Sequence, residues 1–141
     1  EIFLTFHNKL KHIPVEVEVI SPKKFIITSY PGVFAQILSN FIQNSIMHGF
    51  ETKTGDEKIT LQLTELQDSF EFIYSDNGIG MDDKMRLKAF DPFVTTKRNA
   101  GGTGLGLNIV YNQVNQKLKG SISLETSIGK GVKFTITIPK T

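Results

Sequence analysis

The chain of 141 residues contains no cysteine. Disulfides and thiolate metal sites are therefore excluded, and the composition is compatible with a reducing cytoplasm. No apolar run approaches the roughly 20 residues that a membrane-spanning helix needs. Net charge is scarce as well: 16 Lys and Arg against 14 Asp and Glu leave +2 at neutral pH. That is too little to argue for nucleic acid or an anionic membrane surface as a partner. Two common phosphate-binding signatures are missing. No G-x-x-x-x-G-K-[ST] occurs, which excludes a Walker loop. G-x-G-x-x-G also fails, because counting from Gly104 the third glycine position holds Ile109. Nothing in the first residues reads as a signal peptide, and Glu1 in place of Met reads as the start of an excised fragment of something longer. What is present suffices for one domain with a real core: 39% hydrophobic residues, eleven of them Phe, which excludes a disordered chain.

Periodicity divides the chain into interleaved helices and strands. Ile2, Phe3, Phe6, Leu10 and Ile13 share a helical stripe, as a short helix or as the end of a longer one. Its His7 and His12 read as solvated surface residues. Val15, Val17 and Val19 alternate with Glu16 and Glu18 as a half-buried strand, and 25–28 is a second strand candidate. Pro31-Gly32 opens a helix whose apolar face is Phe34, Ile37, Leu38, Phe41, Ile42, Ser45 and Ile46. Asn40, Asn44 and His48 advance by about 40° per step along one rim of that face. Polar groups at such an edge need partners, from neighbouring backbone or from a ligand or metal.

Ile59, Leu61 and Leu63, then Phe70, Phe72 and Tyr74, alternate with polar residues on either side of Gln67-Asp68-Ser69, which predicts a hairpin. Its second strand runs into Asp76-Asn77-Gly78-Ile79-Gly80-Met81. Asp82 is the expected N-cap of a short helix through Ala89. Residues 90–103 have no period, and so long a connection is usually functional or mobile. Leu107, Val110, Val114 and Leu118 form a last helical stripe, with Gly120 as its natural cap. Ile122 and Leu124, then Val132, Phe134, Ile136 and Ile138, close the chain as strands around a glycine turn. Helices interleaved with at least two hairpins require a mixed sheet.

The chemistry concentrates in two stretches. Gly101-Gly102-Thr103-Gly104-Leu105-Gly106 opens a helix, where converging backbone N–H groups and the helix dipole favour an anion, although glycines serve turns equally well. Asp76 ends a strand before Asn-Gly-x-Gly, either as a turn cap or as a pocket-floor acceptor for a ligand amine.

Four segments taken together are far more specific: Asn40…Asn44, Asp76-Asn77-Gly78-Ile79-Gly80, Phe90-Asp91-Pro92-Phe93 and Gly102-Thr103-Gly104-Leu105-Gly106-Leu107. In order and spacing they closely resemble the N, G1, F and G2 boxes of the ATP-binding catalytic domain of bacterial sensor histidine kinases. That family belongs to the superfamily of gyrase, the heat-shock chaperone ATPases and the mismatch-repair ATPases. The resemblance covers about 14–139; the domain is expected over 14–141, with 1–13 as an N-terminal segment. It implies an α/β (α+β) two-layer sandwich, a mixed and mostly antiparallel sheet covered on one face by about three helices, with a mobile ATP lid. By the resemblance, Asn44 coordinates Mg²⁺ between the phosphates, as an oxygen ligand suits a hard cation. Asn40 and His48 support the metal and phosphate end. Asp76 accepts from the adenine amino group in a pocket shaped by Gly78, Ile79, Gly80 and Met81. The lid spans 90–103, anchored by Phe90 and Phe93, with Thr96 on the nucleotide side and Lys97 or Arg98 reaching phosphate. Gly102, Thr103, Gly104, Leu105, Gly106 and Leu107 cradle the triphosphate. The pattern departs at Val132, where many relatives carry a Thr near adenine.

Catalysis is expected from Asn40, Asn44 and Lys97. Hydrolytic members of the superfamily carry a Glu where this chain has Asn40, and an amide is a poor general base. Phosphoryl transfer depends on positioning and charge neutralisation, which favours a kinase. Neither His7 nor His12 is followed by an acidic residue, so the phosphoacceptor histidine is expected on a dimerisation domain outside this chain. The expected protein is thus a cytoplasmic catalytic domain, or the cytoplasmic part of a membrane-bound sensor kinase. By itself it is expected to be monomeric and without autokinase activity, and it acts on a response regulator only indirectly. An ATPase of gyrase or chaperone type, an anti-sigma-factor serine kinase and a degenerate nucleotide sensor are the alternatives.

Overall fold

A computed structural model describes residues 16–20, 31–50, 55–92 and 106–140. The expected N-terminal helix, the strand at 25–28 and most of the lid lie outside them. Among the described residues, five strands form one sheet in the order β1-β2-β3-β5-β4: β1 (Glu16–Ile20), β2 (Lys58–Glu65), β3 (Ser69–Asp76), β4 (Ser121–Thr126) and β5 (Val132–Pro139). Only β1–β2 is parallel; β2–β3, β3–β5 and β4–β5 are antiparallel, so the sheet is mixed as expected. The β2–β3 hairpin closes with Leu66 N donating to Ser69 O at 2.8 Å.

Helix α1 (Pro31–Asn44) covers the sheet, beside α3 (Gly106–Asn112); a short α2 (Asp83–Leu87) follows β3. The stripe of α1 is buried at Phe34, Ile37, Leu38, Phe41 and Ile42. It meets the inward residues of the strands, Ile59, Leu61 and Leu63 from β2, Phe72 and Tyr74 from β3, Phe134 and Ile136 from β5. At the centre the Phe41 ring stacks on Phe134 with centroids 4.4 Å apart and planes 13° off parallel. Leu107, Val110, Val114 and Leu118 form the buried stripe of the second helical unit, as their spacing predicts.

Three local features depart from expectation. First, α1 does not continue regularly. Ser45–Gly49 is a π-helical turn, in which Phe50 N donates to Ser45 O, five residues back, at 2.8 Å. The next buried apolar residue after Ser45 is therefore Phe50, and Ile46 is turned out to 42% exposure. Second, α2 ends at Leu87, not Ala89. Its N-cap is as expected, with Asp82 Oδ1 accepting from Met85 N at 2.7 Å. Third, Gly120 is not the left-handed residue ending the last helical unit, which passes through a second π turn at Gln113–Lys117. Lys119 takes the left-handed conformation, with φ 55°. Gly120 is glycine because a Cβ there would lie 2.2 Å from Thr137 O of β5.

Candidate nucleotide site

The C-terminal half of α1, the segment after β3 and the start of β5 converge on Asp76. Strand alternation turns Asp76 to the same face as Phe72 and Tyr74, where it is only 8% exposed. A carboxylate so buried needs hydrogen bonds, and it has three. Oδ1 accepts from Gly78 N at 3.0 Å and from Val132 N at 3.2 Å, and Oδ2 accepts from Ser45 Oγ at 2.6 Å. An ionised carboxylate offers about four acceptor directions, so one remains for a donor from outside the protein.

The walls around it are backbone packed on backbone. A Cβ on Gly78 would lie 2.3 Å from Gly49 O, and one on Gly131 would lie 1.9 Å from Asp76 O. Ile79 N donates to Gly49 O at 2.8 Å, and Gly129 N donates to Ile79 O at 2.7 Å. Met81 N donates to Thr126 Oγ1 at 2.9 Å, while that hydroxyl donates to Gly131 O at 2.6 Å. Segment 76–81 is thus held between the π turn of α1 and the β4–β5 turn. Backbone fills the space beside Gly78 and Gly80 alike: a Cβ on Gly80, at φ 72°, would lie 2.1 Å from Ser127 O. Their missing side chains let the pocket's walls close up.

Asn77 anchors the segment from behind. Its Oδ1 accepts from Lys58 N at 2.7 Å and its Nδ2 donates to Asp56 O at 2.7 Å. Farther along α1, Asn40 faces the start of α3, since a Cβ on Gly106 would lie 3.4 Å from Asn40 Oδ1. The Nδ2 of Asn40 is buried and has no hydrogen-bond partner among the described residues. An orphaned buried donor is costly, by about 1–3 kcal/mol, and is a feature a bound acceptor such as a phosphate oxygen would relieve. Asn44 and His48 are half-buried one and two steps along the same helix, and Asn44 makes no side-chain capping bond to the turn after it.

Phe90 sits where the expected lid begins. It is partly buried against the core, 5.4 Å from the Tyr111 ring and 6.2 Å from Phe134 between centroids. Asn108 Nδ2 donates to its carbonyl at 3.0 Å, so α3 fixes the base of that segment. Leu107 points into the core, 9% exposed. Phe93, Thr96, Lys97, Arg98, Gly102, Thr103, Gly104 and Leu105 lie outside the described residues.

Four site residues escaped sequence reasoning: Ser45, Gly49, Tyr74 and Gly131. A serine on an apolar stripe, and a tyrosine two residues before the strand-end aspartate, were the available signals. Neither identifies its partner, because Ser45 and Tyr74 meet across 29 residues of sequence.

A two-layer sandwich with a buried strand-end aspartate, a glycine-walled pocket and an asparagine-lined helix defines a nucleotide-binding domain. The chain belongs to the family described as histidine kinase-, DNA gyrase B- and HSP90-like ATPases, whose model matches residues 31–141. Within it, this is an ATP-binding catalytic domain of the histidine kinase type. The chain is 31% identical to the sensor protein EvgS of Escherichia coli K12 over 134 residues, 92% of this chain but 11% of that protein. It is 30% identical to sporulation kinase D of Bacillus subtilis 168 over 132 residues, 94% of this chain and 25% of that protein. The catalytic domain of histidine kinase ThkA superposes with a TM-score of 0.76 at 25% identity, over 99% of this chain and 90% of that one. The mycobacterial sensor histidine kinase MprB shares the fold with a TM-score of 0.77 at 19% identity, over 98% and 92%. The chain therefore spans a small part of the curated relatives it matches. No helix among the described residues is long and apolar enough to cross a membrane.

Proposed function

We propose that the domain binds ATP with Mg²⁺ and donates the γ-phosphate to a histidine of a dimerisation domain, in cis or on a partner chain. The observation that carries this reading is the carboxylate of Asp76, satisfied by three protein donors with one acceptor direction left for an exocyclic amine. Five residues before Ser45 on α1, the unpaired Nδ2 of Asn40 suits a phosphate oxygen. Asn44 then supplies the carboxamide oxygen for Mg²⁺. When bound, Mg²⁺ neutralises charge on the phosphates. His48 supports that end, and Met81 and Ile79 contact the base. Lys97 or Arg98 reaches the phosphates from the lid, beside Thr96, with Phe90 and Phe93 as its anchors. Gly102, Thr103, Gly104, Leu105 and Gly106 line the triphosphate, and Leu107 seats that loop in the core.

The kinase reading is preferred to hydrolysis because Asn40 cannot act as a general base toward water. Domain limits of 14–141, a cytoplasmic location, a monomeric state for the isolated domain and a response regulator downstream belong to the same proposal. The test is nucleotide titration with and without Mg²⁺. Wild type binds ATP more tightly with Mg²⁺, Asn44→Ala loses that increment, and Asp76→Asn weakens ATP at least about tenfold, as expected for a charge-assisted hydrogen bond. Radiolabelled ATP is expected to leave the domain unlabelled unless a phosphoacceptor domain is supplied. Labelling of the domain alone, or steady phosphate release, would refute the transfer reading.

A further inference from the structure

Ser45 and Tyr74 are fully buried polar residues that the proposed transfer does not use. Ser45 opens the π turn of α1, and Tyr74 lies two residues before Asp76 on the same face of β3. The Ser45 Oγ is 2.5 Å from Tyr74 Oη and 2.6 Å from Asp76 Oδ2, while Tyr74 Oη lies 3.1 Å from Phe41 O. Counting protons gives this chain a direction. Ser45 has one hydroxyl hydrogen, and it is donated to Asp76 Oδ2. Ser45 Oγ can then only accept from Tyr74. Were the phenol to donate solely to Phe41 O, two bare oxygen lone pairs would face each other at 2.5 Å. Burial, with Asp76 nearby adding to it, pushes the Tyr74 phenol far above its ordinary pKa, so it keeps its proton. The order is Tyr74 to Ser45 to Asp76.

We propose that Ser45 and Tyr74 are positioning residues for purine selection: their hydroxyls hold Asp76 as a pure acceptor, oriented toward the amino group of a 6-aminopurine. The inference rests on the ATP-binding reading above and names what sets the specificity of that site. The same hydrogen bonds tie the C-terminal part of α1, which carries Asn40 and Asn44, to the floor of the base pocket.

The decisive measurement pairs protein variants with ligand variants. ATP and purine riboside triphosphate, which lacks the 6-amino group, are titrated against wild type, Ser45→Ala and Tyr74→Phe. The wild-type preference for ATP reports the contribution of the amino group. We expect it to fall at least about fivefold in Ser45→Ala, because a hydrogen bond to a charged group loses its geometry. A smaller fall in the same direction is expected in Tyr74→Phe, which carries the test if Ser45→Ala does not fold. A folded variant that weakens both nucleotides equally, or neither, would overturn the proposal and leave the binding reading intact. A wild-type domain that binds neither nucleotide would instead refute the reading beneath it.

Discussion

The carbonyl oxygen of Gly49 occupies the place a side chain would need at Gly78: a Cβ built there lies 2.3 Å away. Gly78→Ala should therefore force apart the π turn and the segment after β3, costing about 1–3 kcal/mol, as overpacking does. Gly32→Ala is the control. A Cβ there meets nothing within 4 Å and lies in the first turn of α1, so it should be neutral or stabilising by up to about 1 kcal/mol. Urea denaturation of the two variants measures the contrast; equal effects would remove the packing argument.

The centre of the core should be far less forgiving. Phe41 is wholly buried between Tyr74, at 5.0 Å, and Phe134, at 4.4 Å between ring centroids. Phe41→Ala is expected to cost about 3–5 kcal/mol by thermal or chemical unfolding. The loss should exceed that at partly buried Phe90, because Phe90 has a solvated side to relax into.

Tyr74 makes stability sensitive to alkali. Its folded pKa lies above the unfolded value of about 10, because burial disfavours the phenolate. The stability tied to its proton is fully present below about pH 10. It falls as pH rises past that point, where only the unfolded chain releases the proton. Chemical denaturation at pH 9 and pH 11 should show a larger drop for wild type than for Tyr74→Phe, and identical drops would contradict this.

Asn40 should separate stability from binding. Its Nδ2 is buried without a partner among the described residues, so Asn40→Ala removes an unsatisfied donor and should leave the unliganded fold within about 1 kcal/mol of wild type or slightly more stable. ATP·Mg²⁺ affinity should fall nonetheless. Calorimetric titration beside a melting curve tests both halves, and a large loss of stability with affinity retained would reverse the assignment.

How much of this was legible beforehand depended on the range of the signal. Apolar spacing located α1, the β2–β3 hairpin and the last helical stripe, because a 3.6- or 2-residue period is local and burial follows from it directly. Asp82 was readable as a cap for the same reason. Ile46 was misread because periodicity assumes a regular helix, and one extra residue in the Ser45–Gly49 turn rotates everything after it. Gly120 was misread because its constraint comes from Thr137, on another strand.

By itself, then, the sequence determined the strands, the helices and, through four ordered motifs, the kind of site they build. It marked Asp76 and Asn40 as chemically relevant, since their residue types and positions stand out along the chain. Only the tertiary structure decided what surrounds them. Ser45 and Gly49 reach Asp76 from the π turn and Gly131 from the β4–β5 turn, while Tyr74, two residues before it on β3, joins through Ser45; hydrogen-bond geometry and van der Waals exclusion act between atoms close in space, however far apart along the chain.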